Sequence, residues 1–158
     1  GLIPKLADNA SIVNLASLAG LDWPRRLDAI RAAADLTFDR VPRFCRDHDI
    51  GRDRSYFFTK EALVVWTMQK RGTGRSRGIR MNSLSPGTVD RPILKDFLET
   101  LGARAEEDMR IMDRPGRPAD IAPVVAFLLS DGSAWIRGAN LPVDGGMFSH
   151  VLAAQHGF

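Results

Sequence analysis

Ser11-Ile12-Val13-Asn14-Leu15-Ala16-Ser17 is a short apolar run rich in branched side chains, preceded by Asp8-Asn9 and followed by Gly20. A run of this length without strict alternation reads as a strand covered on both faces, the kind found in parallel sheets. Two further stretches read as strands: Ile79-Arg80-Met81-Asn82-Ser83-Leu84-Ser85 and a short one within Asn140-Leu141-Pro142-Val143. Helical patterns separate them. The order strand, helix, strand, helix, helix, strand predicts an α/β fold with a parallel sheet. In open sheets of this kind ligands bind outside the carboxyl ends of the strands. Ser17 marks that end of the first strand, and Pro86-Gly87 is the turn after the second. Ser17 is equally readable as a small residue that simply closes a strand.

Outward from the first strand, the clearest helix runs from Ser55 to about Arg71, with Phe58, Ala62, Val65, Trp66 and Met68/Gln69 as its apolar stripe. It holds Tyr56, the only tyrosine of the chain, and Lys60 four residues later. Positions i and i+4 share a helix face. An ammonium held near a phenol favours its ionised form, which makes the pair a candidate proton donor and acceptor near neutral pH. The spacing alone also describes an ordinary amphipathic helix with one buried aromatic and one solvated lysine.

Between these two elements, Leu27, Ile30, Ala34 and Phe38 predict a helix near 26–39, and the charged, broken run Arg43 to Arg54 reads as a partly helical flap beside a pocket. Gly72 to Gly78 contains Gly-x-Gly, but a helix precedes it and a strand follows. That context is the reverse of a nucleotide-binding loop, so the segment reads as a flexible connector. Two charged helical stretches between Ile93 and about Met112 predict a mobile lid over about 92–114. Pro118-Ala119-Asp120 starts a helix that continues from Ile121 to Leu129, with Asp120 in its first turn, where negative charge suits the helix dipole. The tail from Met147 to Phe158 is modestly apolar and is a candidate for packing on a neighbouring subunit.

Composition limits the function classes. At 158 residues and 44% hydrophobic content the chain suits one domain with a core. No apolar run reaches the ~18 residues of a membrane span, and the first residues lack the features of a signal peptide. Cys45 is the only cysteine, so no internal disulfide can form and a reducing, cytoplasmic location is expected. The net charge is +3, with basic residues gathered at Lys70, Arg71, Arg75, Arg77 and Arg80. Without interleaved aromatics or a reading module they suggest a solvated loop rim rather than nucleic-acid binding. His48, His150 and His156 are too scattered for a metal site.

Taken in order, five groups of residues resemble the C-terminal part of the short-chain dehydrogenase/reductase family along nearly the whole chain. They are Ser11 to Ser17 with Gly20; Tyr56 and Lys60; Gly78-Ile79-Arg80-Met81-Asn82-Ser83 with Pro86-Gly87; Gly116-Arg117-Pro118-Ala119-Asp120-Ile121-Ala122 with Phe127-Leu128 and Ser130-Asp131; and Gly138 with Val143-Asp144-Gly145-Gly146. One YxxxK is a weak signal; five motifs in the family's order are a strong one.

The resemblance implies a single partial domain over residues 1–158, the C-terminal part of a doubly wound, Rossmann-like parallel sheet whose N-terminal nucleotide-binding half is absent. The glycine-rich loop and Asn-Ala-Gly segment that open the family do not occur here. It implies reversible hydride transfer between NAD or NADP, with NAD favoured, and a small alcohol or ketone. Tyr56 would pass the proton, Ser17 would hold the substrate oxygen, and Lys60 would hold the nicotinamide ribose. Backbone around Pro86, Gly87, Thr88 and Val89 would meet the nicotinamide. Arg91 stands where the family has a threonine. A homodimer or homotetramer is implied, with neither nucleic acid nor membrane as partner. The insertion at about 21–54 leaves 38 residues, positions 18–55, between Ser17 and Tyr56. That long interval resembles the branch that includes coniferyl-alcohol and bacterial 3α-hydroxysteroid dehydrogenases. The rival reading is a non-catalytic scaffold or interaction piece with a dehydrogenase-like half-fold.

Overall fold

The computed structural model describes residues 2–90 and 110–158. Three strands, β1 (Ser11–Leu15), β2 (Arg80–Pro86) and β3 (Asn140–Val143), form a parallel sheet in the order β1-β2-β3. Ser11 faces Arg80 and Leu15 faces Leu84; Ser83 faces Asn140 and Pro86 faces Val143. The helices are α1 (Leu27–Ala32), α2 (Val41–Asp47), α3 (Arg52–Lys70), α4 (Pro118–Leu129) and α5 (Met147–His156).

Side-chain alternation on β1 fixes the layers. Asn14 Nδ2 donates to Thr67 Oγ1 on α3 at 2.9 Å, whereas Ser11 Oγ donates to the Leu128 carbonyl on α4 at 2.7 Å. Residues three apart on a strand point to opposite faces, so α3 and α4 cover opposite sides of the sheet. The central strand β2 is correspondingly buried from Arg80 to Ser85.

Several of those buried β2 residues are polar, and Asn82, Ser83 and Ser85 find side-chain partners, whereas Arg80 Nε has none among the described residues. Ser83 Oγ and Ser85 Oγ donate to Asn140 Oδ1 at 2.8 and 2.9 Å. Asn82 Nδ2 donates to the Ile136 carbonyl at 2.9 Å, and Asn82 Oδ1 accepts from the Ala139 N–H at 3.0 Å. These side chains tie β2 to the connection that delivers β3, which is why a polar sequence survives in the middle of the sheet.

The helix expected near 26–39 is broken. A 3₁₀ turn at Trp23–Arg26 leads into α1, and a second 3₁₀ turn follows at Phe38–Arg40. Thr37 between them is extended, with φ −85° and ψ 154°. Of the expected stripe only Ile30 is buried; Ala34 is exposed and Phe38 is 93% exposed. The charged run after it contains α2, with Pro42 in the first turn, where a missing N–H costs nothing. Ile30 and Phe44 form a buried cluster with Phe58 and Val65 of α3, flanked by Trp23, Leu27 and Ile50. Residues 21–50 are thus docked on α3.

Helix α3 begins at Arg52, ahead of the expected Ser55, and its buried face differs from the expected stripe. It carries Phe58, Glu61, Val64, Val65 and Thr67, while Trp66 is 43% exposed. Polar residues occupy that face because Thr67 finds Asn14 and Glu61 finds Arg54.

The glycine connector is an ordered turn, a 3₁₀ piece at Arg75–Arg77 between Gly74 and Gly78 at φ 79° and 72°. Arg77 clamps the leading segment, donating to Asp8 at 2.7 Å and to the carbonyls of Ile3 and Leu6. Arg80 is not on the expected basic rim: it is 4% exposed and donates to the Ser130 carbonyl. Lys70, Arg71 and Arg75 are exposed.

Most of the expected lid at 92–114, and Arg91, lie outside the described residues. Helix α4 starts at Pro118 and carries Asp120 in its first turn, as expected. The tail forms α5, launched by Gly145 and Gly146 at φ 64° and 90°. Among the described residues, no helix is long and apolar enough to cross a membrane.

Candidate active site

Parallel strands deliver their carboxyl ends to one edge of the sheet, and the candidate residues collect there. Leu15 is level with Leu84, so Ser17, two residues beyond Leu15, leaves the sheet level with Pro86. Pro86 in turn faces Val143.

The first group is built by β1 and α3. Lys60 Nζ donates to the Leu15 carbonyl at 2.9 Å. The same ammonium lies 5.8 Å from the centre of the Tyr56 ring, within the range of a cation–π contact. Tyr56 is 41% exposed and stacks edge-on with Phe57. Lysine therefore bridges the end of β1 to the tyrosine one turn away on its own helix. Ser17 is extended, and its hydroxyl oxygen accepts the Ala19 N–H at 3.2 Å, which starts the turn Leu18–Gly20.

Gly20 closes this arrangement. A Cβ there would fall 2.7 Å from the Lys60 carbonyl oxygen and 3.2 Å from the Glu61 nitrogen. The turn that leaves Ser17 thus lies directly on the α3 backbone at Lys60. Sequence reading placed Gly20 in a motif without giving it this role; its signal is a glycine a few residues past a strand end, where another backbone passes close.

The second group is built by β2 and β3. Gly87 N–H donates to the Val143 carbonyl at 3.0 Å, and a Cβ at Gly87 would meet Asp144 Cα at 2.9 Å. Only glycine lets these two strand ends approach so closely. The Asp144 carboxylate accepts from Gly146 N–H at 3.0 Å and Phe148 N–H at 2.7 Å, fixing the start of α5. Val89 pairs with Gly116 in a single parallel bridge. Gly116 N–H donates to the Thr88 carbonyl at 2.8 Å, and Asp90 N–H to the Gly116 carbonyl at 2.7 Å. In that pattern Val89's own N–H and C=O point away from the bridge. Neither forms a backbone hydrogen bond among the described residues.

An open cleft of about 510 Å³ lies beyond these strand ends, lined by Gly87, Thr88, Met112, Arg114, Val143 and Gly145 among others. Ser17, Tyr56 and Lys60 do not line it. At its rim Arg114 grips Asp120 in a two-pronged pair at 2.8 and 3.0 Å, and the Arg117 N–H donates to the same carboxylate at 2.6 Å. The Arg114 hydrogen bond, then that of Arg117, holds the Asp120 carboxyl down at about 2. Among the described residues no group of His, Cys, Asp or Glu could hold a metal ion.

A family pattern described as enoyl-(acyl carrier protein) reductase matches residues 50–148. Coniferyl-alcohol dehydrogenase of a Pseudomonas species is 33% identical over 151 residues, covering 94% of this chain and 59% of that protein. The 3α-hydroxysteroid dehydrogenase/carbonyl reductase of Comamonas testosteroni is 28% identical, covering 78% of this chain and 55% of that protein. Among solved structures, a 4-hydroxyisoleucine dehydrogenase mutant complexed with NADH and succinate superposes with a TM-score of 0.59 at 25% identity, covering 88% of this chain and 47% of that one. The chain spans about half the length of the relatives it matches. The matched pattern runs from the approach to α3 to the start of α5 and takes in Tyr56-x-x-x-Lys60 and the whole second group, though not β1, Ser17 or Gly20; with that coverage, the order of strands and the Pro86-Gly87 turn, the chain belongs to the short-chain dehydrogenase/reductase family.

Proposed function

We propose that this chain carries the proton-transfer part of an NAD(P)-dependent oxidoreductase that interconverts an alcohol and a carbonyl. The observation that supports this reading most is the Lys60 ammonium, shared between the Leu15 carbonyl and the Tyr56 ring, two residues before Ser17. Tyr56 gives or takes the proton at the substrate oxygen. Its exposure leaves the phenol accessible to a bound substrate. Ser17 uses its oxygen to accept from Ala19, which leaves its O–H to donate to the substrate oxygen and hold it in place. The Lys60 charge stabilises negative charge that develops on the Tyr56 oxygen.

The residues present fit a nicotinamide cofactor. An ammonium has three donors, and Lys60 spends one on Leu15; the others suit ribose hydroxyls. The outward N–H and C=O of Val89 form a donor–acceptor pair that matches a carboxamide, and Pro86, Gly87 and Thr88 bring that backbone to the strand end. Bound there, the cofactor supplies or accepts the hydride, while this chain supplies position and electrostatics. NAD is the preferred form in this reading. The relative with the higher identity acts on an aromatic alcohol by its name, so a coniferyl-type alcohol is preferred over a hydroxysteroid. A cytoplasmic homodimer or homotetramer completes the proposal.

The test uses purified full-length protein, NAD⁺ and coniferyl alcohol, followed at the NADH absorbance band. Tyr56→Phe is expected to lower turnover by at least ~10²-fold, the weight of a positioned proton donor, and to leave cofactor affinity close to that of the parent. Near-normal turnover in that variant overturns the assignment.

A further inference from the structure

Helix α3 buries a carboxylate that this mechanism does not use. Glu61 is fully buried. It shares its helix face with Phe58 and Val65, members of the apolar cluster formed with Ile30 and Phe44. Arg54, two turns back on that face, donates through Nη2 to Glu61 Oε1 at 2.5 Å. The Arg54 guanidinium also lies 5.5 Å from the centre of the Phe57 ring. Glu61 Oε2 has no partner among the described residues.

Such a pair is a poor source of stability. Removing two charges from water costs more than their attraction returns unless every lone pair is satisfied, and here one oxygen is not. An apolar pair of similar volume would serve the cluster as well or better. What the pair does achieve is registration, because its location is specific. Glu61 follows Lys60, and the Glu61 nitrogen and Lys60 carbonyl are the backbone atoms against which Gly20 rests. Gly20 N–H in turn donates to the Ser17 carbonyl at 2.9 Å. The Glu61 backbone thus lies at the point where the turn from Ser17 meets the helix that carries Tyr56 and Lys60. The ion pair spans the two helical turns on which both residues sit.

We propose that the Arg54–Glu61 pair is a positioning device that holds rigid the two turns of α3 on which the Ser17–Gly20 turn rests and so fixes the alignment of Ser17 with Tyr56 and Lys60. The inference rests on the proton-transfer roles proposed above. Glu61 touches no reacting atom; it acts through the helix. A carboxylate is required because Arg54 reaches it only through a charge-assisted hydrogen bond, which is stronger and more directional than a neutral one.

The test compares Glu61→Gln, Glu61→Asp, Arg54→Lys and Tyr56→Phe in the full-length protein. Arg54 is 25% exposed along its side chain, so Glu61→Gln frees a guanidinium that can turn to water, and the variant folds. Glu61→Gln is expected to lower kcat about tenfold or more, in line with the sensitivity of aligned groups to small displacements, with KM for the cofactor within about twofold. Amide hydrogen exchange at Gly20 and Leu21 is expected to quicken in the same variant without cofactor. Arg54→Lys and Glu61→Asp, which keep both charges, are expected to lose less kcat than Glu61→Gln. A kcat within twofold of the parent in Glu61→Gln, or unchanged exchange at Gly20 and Leu21, overturns the proposal while the Tyr56 role stands. An active Tyr56→Phe instead removes the reading on which it rests, and the exchange result then shows separately whether the pair holds the turn.

Discussion

Gly20 rests on Lys60: a Cβ at Gly20 would stand 2.7 Å from the Lys60 carbonyl oxygen and 2.8 Å from its carbon. Both atoms belong to a helix backbone and cannot swing aside. Gly20 itself keeps an ordinary negative φ, so the demand for glycine here is one of space and not of conformation. Gly20→Ala should push the Ser17 turn off α3. The expected cost is about 1–3 kcal/mol, typical of overpacking, and turnover should fall as Ser17 moves. Thermal melts and steady-state rates on the same preparation check this; an unchanged melting temperature would show that the turn has room to spare.

Lys60 separates activity from stability. Its hydrogen bond goes to the carbonyl of Leu15, a residue that is 54% exposed. In Lys60→Met water can satisfy that carbonyl, so the melting temperature should change little. Turnover should fall on the order of 10²–10⁴-fold, the range seen for groups that assist proton transfer. Lys60→Arg should not restore it, because a planar guanidinium cannot replace a compact ammonium between a carbonyl and a phenol ring. Full activity in either variant would remove Lys60 from the mechanism.

The sheet was legible in the sequence because β1 is short, branched and apolar, because turn residues bound each strand, and because Ser17 and Pro86-Gly87 mark strand ends. Spacing alone put Tyr56 and Lys60 on one helix face, and only the order of the motifs around them singled them out as a pair. The insertion was not. Its stripe from Leu27 to Phe38 fits helical spacing, but Thr37 is extended and Phe38 turns to solvent. The burial that matters comes from Ile30, Phe44 and Ile50, brought together by tertiary packing on α3. The buried face of α3 was hidden for a related reason. Glu61 and Thr67 lie outside the apolar stripe, and their burial makes sense only once Arg54 and Asn14 are known to meet them. Partners such as Asn14, 53 residues away from Thr67, leave no trace in local periodicity.

Asn82 is a strut whose removal should be felt well beyond its own strand. It is fully buried, and its amide reaches the Ile136 carbonyl and the Ala139 N–H at 2.9 and 3.0 Å. Asn82→Ala leaves both groups without a partner inside the protein. Each buried group stranded in this way costs about 1–3 kcal/mol, so urea midpoints should drop clearly. Asn82→Asp should also destabilise, since a carboxylate can accept from Ala139 but cannot donate to Ile136. A midpoint equal to the parent's in Asn82→Ala would mean that water or a shifted chain replaces both bonds.

Asp120 should leave a signature in acid. Its carboxyl is held at about 2 against an ordinary value of 3.8, first by the Arg114 hydrogen bond and then by that of the Arg117 N–H. The same pairing raises Arg114, which stays charged throughout. Because the folded value lies below the unfolded one, folding favours the ionised form. The stabilisation is fully present above about pH 4 and is lost as pH falls through about 2. The melting temperature of the parent should therefore exceed that of Asp120→Asn by a constant margin near neutrality, and the margin should close as pH drops from about 4 to about 2. Both side chains face solvent in part, so added salt should shrink the neutral-pH margin by screening. It should not abolish the margin, because the Arg117 N–H still donates to the carboxylate at the start of α4, where the helix dipole favours negative charge. A margin that does not change across the acid range would place the weight on that backbone contact alone, which an asparagine oxygen can largely reproduce, and would leave the Arg114 pair without a measurable part in folding.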